Sequence, residues 1–253
     1  MSSSHAIAFL VAAGILTLAR SAPVAGAAGI AVNWKDACWG ENPHVNLTWA
    51  CNTNTNADIR LTCSFVLDDD LPDFVGVYAH LVGMTEAAAV PDWWRLGADP
   101  ATNCRAGLCT VAADGTVLES GGTGTCLDPW HGSGSGGVGR YVSDGNLMGV
   151  EAWWTVAEPV PLEAGQEYFA FQLRISAEKT VGECAGCLIP AIWAVTRMDV
   201  RTPTTTLTFD LPYMSGWRCL SWQNSPLPCA VLYFWDPLPA RCSSWGLIKS
   251  LYR

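Results

Sequence analysis

Residues 166–201 read QEYFAFQLRISAEKTVGECAGCLIPAIWAVTRMDVR, and both halves of the stretch alternate. Phe169, Phe171, Leu173 and Ile175 fall on one side of an extended chain; Tyr168, Ala170, Gln172 and Arg174 fall on the other. Beyond the tip VGECAGCLIP, a second one-sided set follows: Ile192, Ala194, Met198 and Val200. Two period-two runs joined by a glycine-containing tip predict a long β-hairpin with one buried face. Ala164-Gly165 supplies a turn before it, and Cys184 and Cys187 lie in the tip.

The same pattern extends outward. Val45, Leu47 and Trp49 share a face, as do Ile59, Leu61, Cys63, Phe65 and Leu67. Val32–Asp36, Phe74–Val82, Asn146–Val156, Thr205–Asp210, Trp217–Gln223 and Ala230–Trp235 are further short runs bounded by turn residues, as strands are. Thr85–Ala89 offers one helical turn, capped by Thr85 and stopped at Pro91. Glu158-Pro-Val-Pro161 reads as a rigid connector, and His131–Gly139 (HGSGSGGVG) as a flexible loop excursion. About eleven strands with no amphipathic helix longer than two turns predict an all-β fold, an antiparallel β-sandwich of jelly-roll type.

Ala6–Ala19 is an apolar run of 14 residues followed by Ala25-Gly26-Ala27. A membrane span needs about 20 residues, so this is the length of a signal-peptide core, with cleavage expected near Ala27. An uncleaved anchor is the competing reading, because no Lys or Arg precedes the run. No later segment is long and apolar enough to span a bilayer. The expected organisation is therefore a leader over 1–27 and one domain over 28–253, secreted, periplasmic or at the cell surface. Charged residues are only 15% of the 253, and the net charge is −9 with no basic cluster, which disfavours nucleic acid as a partner. All eleven cysteines follow the leader, as in a disulfide framework built in an oxidising compartment. The odd number leaves at least one without an intrachain partner.

Several stretches together carry a resemblance: NWKDACWG followed by ACNTN, PDWW before Cys104-Arg105, CLDPWHG, EYFAFQLRI, the CAGC tip and the ending SSWGLIKSLYR. In their order they resemble a group of uncharacterised secreted bacterial proteins with no assigned activity. The resemblance covers most of the chain after the leader and implies no catalytic residue. The group often has another Cys just past the tip, where this chain has Ala191 and Ile192. That departure leaves the pairing of Cys184, Cys187 and Cys229 open. The remaining cysteines are expected as Cys38–Cys51, Cys63–Cys109, Cys104–Cys126 and Cys219–Cys242, although spacing alone does not determine connectivity. With Cys187 bridged to Cys229, Cys184 becomes the candidate free thiol.

The CAGC pair lacks the further ligands of a zinc site and the helix N-terminus of a redox pair, so bridging is its expected role. Trp93-Trp94 and Trp153-Trp154 matter because neighbours in a strand face opposite ways. One of each pair is expected in the core and the other outside or under a loop; packing against disulfides and loop backbones is the commoner fate of tryptophan, and an exposed indole stacking on sugar is the sharper alternative. Asp68, Asp69, Asp70 and Asp73 form an acidic patch without the spacing of a calcium loop; a solvated turn is expected, with loose calcium as the sharper alternative. The glycines 132, 134 and 137 match a dinucleotide-loop pattern only formally, since no strand–helix unit surrounds them. His131 beside Asp128 is the one suggestive histidine placement, and a solvated loop histidine is the expected reading there. Glu151 near Trp153 is the carboxylate to test for glycoside hydrolysis, which needs two such groups across a cleft. The ending, Trp245–Arg253, reads either as a docked terminal segment or as a sorting signal.

These features predict a non-catalytic extracellular or cell-surface module with a binding or structural role, a glycan or a surface protein being the partner if it binds. The alternative is a polysaccharide-acting hydrolase using carboxylates beside exposed tryptophans.

Overall fold

The computed structural model describes residues 28–34, 38, 44–55, 58–113, 126–210 and 219–234. The expected leader, the Trp245–Arg253 ending and Cys242 lie outside the described residues.

The described chain is an all-β sandwich of two packed sheets. Its strands are β1 (Gly29–Trp34), β2 (Asn46–Leu47), β3 (Asp58–Val66), β4 (Leu71–Thr85), β5 (Cys109–Ala112), β6 (Ser135–Asp144), β7 (Leu147–Leu162), β8 (Glu167–Ser176), β9 (Ala191–Arg201), β10 (Thr206–Asp210) and β11 (Cys219–Trp222). One sheet has four strands in the order β1-β3-β8-β5. The other has seven, in the order β2-β11-β9-β4-β7-β6, with β10 pairing β9. All pairs are antiparallel except β2 with β11, which is parallel.

The hairpin expected over 166–201 is not a hairpin. β8 pairs with β3 and β5 in the small sheet, whereas β9 pairs with β4, β10 and β11 in the large one. Residues 177–190 therefore arch across the sandwich from one sheet to the other. Alternation records which face is buried and says nothing about which strand lies alongside, so two consecutive one-sided runs suit an arch as well as a hairpin. Asn54 clamps the arch: its side-chain NH2 donates to the Val181 carbonyl at 3.0 Å, and its oxygen accepts from the Val181 N–H at 2.6 Å.

The core lies between the sheets. Ile59, Leu61, Cys63 and Phe65 of β3 and Phe171, Leu173 and Ile175 of β8 pack with Val77, Ala79 and Leu81 of β4, Val150 and Ala152 of β7, and Trp193, Val195, Met198 and Val200 of β9. Register shifts alter two of the expected faces. In β8 the pairing slips between Cys63↔Phe171 and Ser64↔Phe169, which brings Tyr168 opposite Phe65 with ring centroids 5.9 Å apart. In β9 a bulge at Thr196 separates Met198 and Val200, in the main core, from Ile192 and Ala194, which pack in a second cluster on the outer face. A bulge inserts one residue and so exchanges the two sides of a strand.

Three local expectations also change. Residues 86–89 form bends with no helical turn. Residues 229–234 form a 3-10 turn rather than a strand, tied back by a Cys219–Cys229 bridge. Glu158-Pro-Val-Pro161 lies inside β7, past the point where β6 stops at Ser135↔Thr155. Proline withholds a ladder N–H, so it fits a strand that has lost its neighbour on one side.

Gly136 and its neighbours belong to edge strand β6, not to a loop excursion. A Cβ on Gly136 would collide with the Trp153 carbonyl and the Trp154 ring, so this position must be glycine for β6 to lie along β7.

Four disulfides are present among the described residues: Cys38–Cys126, Cys51–Cys187, Cys104–Cys184 and Cys219–Cys229. None of the expected pairings occurs, Cys187–Cys229 included. Cys184 is bridged to Cys104, and among the described residues the free thiols are Cys63 and Cys109, both buried. Cys63 and Cys109 sit on β3 and β5, the two flanks of β8, so a whole strand separates them. Two strand spacings of about 4.8 Å exceed the ~7 Å limit for bridging Cα atoms. Three of the four bridges span 80 to 136 residues and staple loops and arches of distant sequence. Such a framework suits an oxidising environment outside the cytoplasm. Among the described residues no helix is long and apolar enough to cross a membrane.

Candidate functional site

Trp93 and Trp94 are both fully buried, so neither presents a binding face. They form a 3-10 turn over Asp92–Trp94 rather than a strand, which removes the reason to expect opposite orientations. Trp93 stacks on Trp222 with centroids 5.1 Å apart and planes at 23°, and Trp94 meets Trp93 edge-on at 4.6 Å. Trp34 and Trp49 also contact Trp222, and Trp193 contacts Trp94. The Trp93 indole N–H donates to Thr180 and the Trp222 indole N–H to the Cys187 carbonyl, so the cluster is bonded to the arch. Arg105 seals it. Its guanidinium lies 4.1 Å from the Trp93 ring centroid and donates to the carbonyls of Trp93, Ser176 and Glu178. Burial pushes Arg105 down to about 10, which still leaves it charged at neutral pH. This region is a structural plug, as the packing alternative expected.

Trp153 and Trp154 do fall on opposite faces of β7. Trp154 packs against the core, while Trp153 lies half-buried on the outer face of the large sheet. That outer face divides in two. Toward one end Val82, Ile192 and Ala194 are apolar and covered by Leu227, Val231 and Leu232, from and just before the 229–234 turn. Toward the other end the same face is polar.

The register arranges the polar half as a grid. One row runs Gly137–Trp153–Tyr78–Asp199–Thr208 across β6, β7, β4, β9 and β10. The next row runs Glu151–His80–Arg197–Asp210, and a third runs Ser135–Thr155–Gly76–Arg201–Thr206. Directly opposed residues of neighbouring strands have Cβ atoms about 4.5–5.5 Å apart on one face, so these side chains form one surface.

Asp199 is the hub. Arg197 approaches it in bidentate fashion at 2.9 and 3.2 Å, Thr208 donates to it at 2.9 Å, and Arg201 lies 3.6 Å away. The Arg201 guanidinium also covers the Tyr78 ring at 5.1 Å, and Tyr78 meets His80 edge-on at 5.2 Å. The Tyr78 hydroxyl is paired with Glu151. Burial first, and then the Glu151 carboxylate, hold the Tyr78 phenol far above its usual pKa, so it remains a donor. Tyr78, His80 and Asp199 are buried, whereas Glu151, Trp153, Arg197 and Arg201 are half-buried. The edge strand adds only glycine next to the indole: a Cβ on Gly137 would meet nothing nearer than Trp153 at 4.0 Å.

This surface offers an aromatic platform, a donor–acceptor pair and two partly neutralised guanidinium groups. Among the described residues of this surface, Glu151 and Asp199 are not placed as a glycosidase pair. Asp199 is two strands from Glu151, about 10 Å by strand spacing before the one-row offset is added, and its oxygens are engaged by arginine and threonine.

Of the residues singled out in the sequence, Glu151 and Trp153 come together here. Tyr78, His80, Arg197, Asp199 and Arg201 were missed. For Arg197, Asp199 and Arg201 the signal was present in TRMDVR, where three charges recur at period two in a chain poor in charge. His131 is exposed, and Asp128 instead accepts the Trp130 N–H at 2.9 Å. Asp68, Asp69 and Asp70 of the acidic patch form the turn between β3 and β4, where Asp70 accepts the Ala164 N–H at 2.8 Å, and Asp73 lies within β4. Among the described residues no group of three or more His, Cys, Asp or Glu side chains is arranged to hold a metal. The buried thiols are unreactive by environment: desolvation pushes Cys109 up to about 12 and raises Cys63 further. A scan against protein-family models finds none that matches the chain, and no curated protein is significantly similar to it in sequence.

Proposed function

We propose that this chain is a secreted, non-catalytic module that binds a neutral glycan on the outer face of its seven-stranded sheet. The observation that carries this reading is Trp153, half-buried in a row with Gly137 and Tyr78, with Glu151 in the next row. A sugar ring stacks its C–H face on an indole while flanking donors and acceptors take its hydroxyls, as in other sites where an aromatic body carries the contact and a few polar groups orient it. Neutral sugar is favoured because Asp199 and Glu151 together balance the charges of Arg197 and Arg201, while the chain as a whole is acidic. The resemblance to secreted bacterial proteins and the four disulfides support an extracellular or periplasmic setting.

The test is a glycan array probed with wild type and Trp153→Ala, followed by incubation of the bound glycan to look for product. Binding by wild type, loss in the variant and no product support the proposal. Product that disappears in Glu151→Gln would establish the hydrolase instead.

A further inference from the structure

We propose that the chain is cut between Ala27 and Ala28, and that the new terminal ammonium of Ala28 is held by Asp68. This rests on the secreted reading but not on glycan binding. The Ala28 backbone nitrogen lies 3.3 Å from Asp68 Oδ1. Gly29 is the first residue in the β1–β3 ladder, opposite Val66, so a cut before Ala28 removes no rung of the sheet. Ile30, Val32 and Trp34 then anchor the strand in the core. Ala25 and Ala27 are the small residues that a leader-removing peptidase requires on the leaving side.

The chemistry is hydrolysis by that peptidase: water adds across the Ala27–Ala28 amide, leaving a carboxylate on Ala27 and an ammonium on Ala28. One amide N–H facing Asp68 becomes a positive group with three donors, and a neutral hydrogen bond becomes a charge-assisted one. The carboxylate is in place beforehand, because its turn is pinned by Gly165 N–H to the Leu67 carbonyl at 2.9 Å and by Ala164 N–H to Asp70 at 2.8 Å. The turn over 68–70 thereby acquires a role as a seat for the mature terminus.

The experiment expresses the full chain in a secreting bacterial host and sequences the N-terminus of the exported protein. The rate at which acetic anhydride acylates the α-amine at neutral pH is then measured in the wild type and in Asp68→Asn. A terminus at Ala28 and acylation several-fold faster in Asp68→Asn are expected, because an ion-paired amine stays protonated. A chain that keeps its leader, or one cut elsewhere, overturns the cleavage assignment. Cleavage at Ala28 with equal acylation rates overturns the pairing. Neither outcome bears on glycan binding, which the array reads separately.

Discussion

Trp153 and Gly137 stand directly opposite one another in the β6–β7 ladder, so the edge strand passes the indole without placing a side chain beside it. Next to this pair, Gly136 faces Trp154 on the other side of the sheet. Two adjacent glycines therefore serve different ends: one leaves the outer face open, and the other lets the strand pack.

Alanine at these two positions should separate the roles. Gly136→Ala drives a methyl into the Trp153 carbonyl and the Trp154 ring and should cost about 1–3 kcal/mol in urea unfolding. Gly137→Ala has room and should stay within about 0.5 kcal/mol of wild type, typical of a surface change.

Trp153→Ala should weaken glycan binding about tenfold, the loss of one aromatic contact worth about 0.5–1.5 kcal/mol beyond its area. Trp93→Ala should instead unfold or strongly destabilise the protein, by about 3–5 kcal/mol, because it empties the centre of the tryptophan plug. Binding by calorimetry and stability by denaturant distinguish the two.

Asp199→Asn should destabilise by about 1.5–3 kcal/mol, since Arg197 and Thr208 lose a charged acceptor on a largely buried hub. Removing Thr208, at the exposed rim, should cost much less. Urea midpoints for the two variants check this.

Cys63 and Cys109 should resist thiol reagents in the native protein and react once it is unfolded. Their folded pKa values are raised, so the stabilisation they contribute is fully present below the unfolded value of about 8.5. Above it the unfolded chain releases protons that the native chain retains. Stability should then fall by about 1.4 kcal/mol per pH unit for each thiol as pH rises toward 12. The double Cys63→Ala, Cys109→Ala variant should show a shallower decline.

Burial was legible in the sequence where strands are regular. Ile59, Leu61, Cys63 and Phe65 alternate without interruption and all face the core. Partnership was not legible, because β8 and β9 obey the same period whether they pair or lie in opposite sheets. Bulges at Thr196 and near Ala170 exchanged faces that the period alone assigned. Connectivity failed for the same reason: Cys51 and Cys187 are 136 residues apart and meet only because the arch crosses the sandwich. The candidate site was half visible. Glu151 and Trp153 are close in sequence, but Tyr78 and Asp199 join them only through cross-strand register.

The most direct measurement is hydrogen exchange by mass spectrometry, with and without a panel of neutral hexasaccharides (xylo-, cello- and manno-oligosaccharides). The account predicts added protection over residues 76–80, 151–155 and 197–201, absent in Trp153→Ala. Protection confined to other segments, or none with any member of the panel, would contradict it.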